Sequence, residues 1–111
     1  MAVFALLMTA QTAGAAPATM ETIGAEKCGG RVNAYQVEFL APDSAALEAT
    51  AKAVVKGSPS PAQDAVTLSL DGKPCTDARC LFQGRKGETY KLAATTKLRS
   101  FDELCIVVAR P

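Results

Sequence analysis

An all-β fold is what the sequence predicts, a small antiparallel β-sandwich closed by two disulfides. Three observations point to it. Apolar and polar residues alternate with period two in several segments, Gly, Pro and Asp-Gly turn signals separate these segments at short intervals, and four cysteines are spread along the chain. The 111 residues amount to a single domain.

The first residues read as a leader. The run AVFALLMTA at 2–10 is apolar but too short to span a bilayer, and Ala13 and Ala15 fit an A-x-A cleavage site. A signal peptide is therefore expected at 1–15, although no Lys or Arg precedes Lys27. Residues 16–30 are small and polar and read as an extended lead-in ending at Gly29-Gly30, so the sandwich domain is placed at 31–111.

Within 31–40, Tyr35, Val37 and Phe39 alternate with Gln36 and Glu38, which is a strand with one buried face. Residues 43–56 fit two periods. As a helix they group Leu47, Ala51, Val54 and Val55, with Gly57 as a stop; as a strand they put Leu47, Ala49, Ala51, Ala53 and Val55 on one side. Alanine content favours the helix, and an α+β fold with one helix at 43–56 packed on an antiparallel sheet is the alternative. The strands that follow favour the all-β reading. Val66, Leu68 and Leu70 alternate up to the Asp71-Gly72 turn, and Pro74 keeps the next segment out of a sheet interior. Leu81 and Phe82 fit a short edge strand before the Gly84-Arg85-Lys86-Gly87 turn. Tyr90, Leu92 and Ala94 alternate again, and 104–110 is apolar on both faces, as in a strand buried on both sides.

Cys28, Cys75, Cys80 and Cys105 all follow the leader, so two disulfides in an oxidising compartment are expected. Three connectivities are open to four cysteines. The favoured one pairs Cys75 with Cys80 across a short loop and Cys28 with Cys105 from one end of the domain to the other. The spacings do not suit zinc, and no C-x-x-C motif is present.

Two segments resemble bacterial immunoglobulin-like and fibronectin type III-like domains. In 47–72 an alternating strand passes through Lys56-Gly57-Ser58-Pro59-Ser60-Pro61 into Val66-Thr67-Leu68-Ser69-Leu70-Asp71-Gly72. In 86–95 the run from Lys86 to Thr95 is similar to the turn and strand of a tyrosine corner, with Tyr90 as the tyrosine. The resemblance implies an Ig-like sandwich and no activity, because this fold hosts many functions. The chain departs from the pattern in having no Trp and in closing a short loop with Cys75 and Cys80.

Composition weighs against several functions. A net charge of +1 lacks the field of a nucleic-acid binder, and without His the usual general base and commonest metal ligand are missing. No G-x-S-x-G, phosphate loop or calcium-loop spacing occurs, and Asp102-Glu103, being adjacent on a strand, point to opposite faces. No enzyme activity, catalytic residue, metal or cofactor is expected. The expectation is a periplasmic or secreted binding or accessory module for a protein partner, with no nucleic acid and no stable membrane anchor; the alternative is a small secreted inhibitor of a hydrolase. From Asp71 onward eight basic residues face five acidic ones. The expected contact surface is the loop closed by Cys75 and Cys80, with Asp77, Arg79, Phe82, Arg85 and Lys86.

Overall fold

A computed structural model describes residues 18–55 and 65–111, so the expected leader at 1–15 and the Ser-Pro loop lie outside the described residues. These contain nine strands: β1 Ala18–Met20, β2 Glu26–Cys28, β3 Ala34–Leu40, β4 Ala45–Val54, β5 Val66–Leu70, β6 Lys73–Pro74, β7 Arg79–Gly84, β8 Thr89–Thr96 and β9 Glu103–Ala109. They form a four-stranded sheet in the order β2-β9-β4-β7 and a five-stranded sheet in the order β1-β3-β8-β5-β6. All pairings are antiparallel except that of β1 with β3. The two sheets stack as a sandwich.

Among the described residues, consecutive strands almost always lie in opposite sheets, and only β5 and β6 are neighbours in both sequence and space. Each strand therefore has to bury one face, which is what the period-two pattern records. Val37 and Phe39 of β3, Leu68 of β5 and Leu92 and Ala94 of β8 meet Leu104, Ile106 and Val108 of β9 in a core closed to solvent. Burying one such Leu, Ile or Phe contributes roughly 1.5–3 kcal/mol.

The ambiguous segment at 43–56 is a strand over Ala45–Val54. Leu47, Ala49, Ala51 and Ala53 are all fully buried on its inner face, while Glu48, Thr50 and Lys52 look outward. Alanine's helical preference amounts to a few tenths of a kcal/mol per residue, and pairing on both sides with β9 and β7 outweighs it.

The segment read as a lead-in does more than lead in. Met20 of β1 is buried against the core, and β2 borders β9 with Cys28 directly opposite Cys105. Gly29 and Gly30 together face Leu104, whose carbonyl accepts from Gly29 N–H (3.0 Å) and whose N–H donates to Gly30 C=O (3.1 Å). This is a β-bulge. A Cβ on Gly29 would fall 2.8 Å from Tyr35 Cγ, so the bulge lets the Tyr35 ring lie on bare backbone. Both disulfides have the favoured pairing, Cys28–Cys105 and Cys75–Cys80, and none of the cysteines is free.

Candidate functional site

The chain crosses from the five-stranded to the four-stranded sheet between β6 and β7, and the crossing is built residue by residue. Asp71 and Gly72 both take positive φ (49° and 86°) and reverse the chain into β6. Cys75 N–H then donates to Leu68 C=O (2.9 Å), which continues the β5 pairing and leaves Pro74 on the outer edge, where its missing N–H is not needed. Asp77 and Ala78 also take positive φ (56° and 55°), and Arg79 N–H closes the turn onto Thr76 C=O (3.0 Å). Asp tolerates this conformation better than Ala does. Ala78 is held there from two sides: its side chain is buried and its carbonyl accepts from Ala51 N–H (3.1 Å). The Cys75–Cys80 bridge, with Cα atoms 5.2 Å apart, staples the flanking residues.

Beyond the staple β6 and β7 diverge into different sheets. Between them lies a hollow of about 500 Å³ walled by Leu70, Pro74, the disulfide and Leu81, with Lys73, Thr76, Asp77 and Arg79 around it. Leu81 is 69% exposed, more than any other large apolar side chain among the described residues.

The five residues expected to contact a partner are spread along β7. Asp77 is exposed at the tip of the stapled turn. Arg79 reaches across to β4, where its Nε donates to Glu48 Oε2 (2.8 Å) and its Nη2 pairs with the same oxygen. Phe82 points inward, half-buried, with its ring edge-on to Phe39 (centroids 6.5 Å apart) and tilted on Tyr90 (5.0 Å). Arg85 and Lys86 occupy the turn at the far end of β7, about 20 Å from Asp77 by strand rise. Their backbone N–H groups donate to Tyr90 Oη (2.9 Å) and Ser44 Oγ (3.0 Å). The structure thus brings Asp77 and Arg79 together at one end, sets Arg85 and Lys86 at the other, and directs Phe82 into the core. Leu81, Lys73 and Pro74 were missed by the sequence reading. A usable signal existed, because Leu81 stands between Cys80 and Phe82, and period two sends it to the opposite face from both.

Polar groups also gather elsewhere among the described residues. Glu26, Cys28 and Cys105 have ligand atoms within 4.8 Å of one another, but both sulfurs are committed to their disulfide and Glu26 Oε2 pairs with Lys52 Nζ (2.9 Å). On the outer face of the five-stranded sheet, Gln36, Glu38, Ser69 and Lys91 surround Ala93 in an open groove. Burial raises the pKa of Tyr35 above the ordinary value of 10.0.

No protein-family model, curated protein or solved structure matches this chain.

Proposed function

We propose that the chain is an exported, non-enzymatic module, working in the periplasm or outside the cell, that recognises a protein partner through the stapled corner between β6 and β7. The observation that carries this reading is the exposed Leu81 beside a hollow whose wall is itself a disulfide. A turn held by a covalent bridge, a buried Ala78 and a backbone hydrogen bond is already ordered before it meets a partner, so little conformational entropy is lost on contact. Two disulfides fit an oxidising compartment, which supports export. The Ig-like resemblance remains part of this proposal and adds no activity to it.

The test is affinity capture on the immobilised protein from an extracytoplasmic fraction, followed by titration of the purified partner. Lys73→Glu and Leu81→Ala, both exposed, are expected to weaken binding by about tenfold or more, in the range of interface residues that matter. Equal affinity of both variants and the wild type would overturn the site.

A further inference from the structure

We infer that the open edge of β7 from Leu81 to Gly84 receives an extended, acidic segment of a partner protein as an added strand. This rests on the reading of the corner as a partner site and names the manner of recognition and the chemistry of the partner.

Ala51 N–H donates to Ala78 C=O in the same register that pairs Ala49 with Cys80 and Leu47 with Phe82. Hydrogen-bonded pairs alternate along an antiparallel ladder, so Cys80, Phe82 and Gly84 turn their N–H and C=O groups toward β4, and Arg79, Leu81 and Gln83 turn theirs away. Two contacts agree with this parity: Arg79 N–H is taken by Thr76, and Gln83 C=O accepts from Tyr90 Oη at 3.4 Å. The stapled turn thus covers the start of β7. Leu81 N–H, Leu81 C=O and Gln83 N–H remain at an edge that no described strand covers.

The other sheet edges carry the features that discourage pairing. β1 and β2 are three residues each, with Glu26 and Lys27 in β2, and β6 is two residues with Lys73 and Pro74. β7 has six residues and one charge, and that charge is neutralised by Glu48 within the same sheet. A strand laid along Leu81 and Gln83 would place one side chain beside the exposed Leu81 and the next toward the hollow lined by Leu70 and Pro74.

Charge selects the occupant. Lys73 stands at one end of this edge and Arg85 and Lys86 at the other, all exposed and none in an ion pair among the described residues; Asp77 is the acidic residue at the hollow. The fit is to an extended segment with apolar residues at its middle, beside Leu81 and the hollow, and Asp or Glu toward its ends.

The experiment pans a phage-displayed library of random dodecapeptides on the intact, oxidised protein, then titrates a synthesised winner against wild type and Gln83→Pro. Proline removes only an outward N–H, a position an edge strand tolerates. Winners should share an apolar middle flanked by acidic residues, Gln83→Pro should weaken them about tenfold, as expected for the loss of ladder hydrogen bonds, and N-methylation of alternate peptide amides should weaken them similarly without touching the protein's folding. Winners lacking acidic residues, or binding that N-methylation leaves unchanged, would overturn the inference. So would sedimentation showing a wild-type dimer that Gln83→Pro converts to monomer, because a second copy would then hold the edge. If no peptide is enriched while the captured partner still responds to Leu81→Ala, strand addition falls and the partner site stands; if neither binds, both fall.

Discussion

Gly84 ends β7 directly beneath Leu47, and a Cβ added there would lie 2.6 Å from Leu47 Cδ1. Gly84→Ala must push a fully buried leucine off its rotamer, and overpacking of this kind costs about 1–3 kcal/mol. Urea unfolding checks it, with a lowered midpoint expected. Tyr90 gives a milder case. Its hydroxyl accepts from Arg85 N–H, so Tyr90→Phe should cost about 0.5–1.5 kcal/mol, and a change near zero would mean that water replaces the bond without loss. Tyr35 adds a pH dependence. Because burial raises its folded pKa above the unfolded value, the unfolded chain loses that proton first as pH climbs. The Tyr35 contribution is fully present below pH 10.0 and disappears as pH rises through the folded pKa. Stability measured across this alkaline range should fall less steeply in Tyr35→Phe than in the wild type.

The two bridges act on elements of different reach. Cys28–Cys105 spans 77 residues and fixes β2 to β9, whereas Cys75–Cys80 spans five and fixes a turn. In the chain-entropy model their removal costs about 4 and about 2 kcal/mol respectively. Replacing each pair by Ser and comparing denaturation midpoints should show the long-range bridge to matter more for stability; the reverse order would place the strength of the short bridge in the native turn. β3, β5 and β8 could be read from alternation, because each buries one face over five residues or more. β1 and β2 could not, since three residues hold too few alternations to make a pattern. The strand at Ala45–Val54 stayed ambiguous for a different reason: its inner face is mostly alanine, a side chain small enough for either period, and only pairing with distant β7 and β9 decides the matter.

At the scale of the whole molecule, nearly every strand pairs with one remote in sequence, as Glu48 in β4 does with Ala109 in β9. Topologies of this kind fold in milliseconds to seconds, and stopped-flow refolding of the oxidised protein should fall in that range. The site was legible only in outline for the same reason. Cysteine spacing pointed to the stapled turn, but Arg79 and its partner Glu48 are 31 residues apart, and the inward turn of Phe82 with the outward turn of Leu81 depends on which face of β7 meets the core. The division of labour between the bridges is open to direct measurement on binding. Partner affinity should be measured for the wild type and for the Cys75→Ser/Cys80→Ser variant at a temperature where both remain folded by circular dichroism. Loosening the turn is expected to weaken binding by about tenfold while the β spectrum is retained, because the staple pre-orders the contact surface. Unchanged affinity in a folded variant would contradict this and leave the short bridge with a structural role alone.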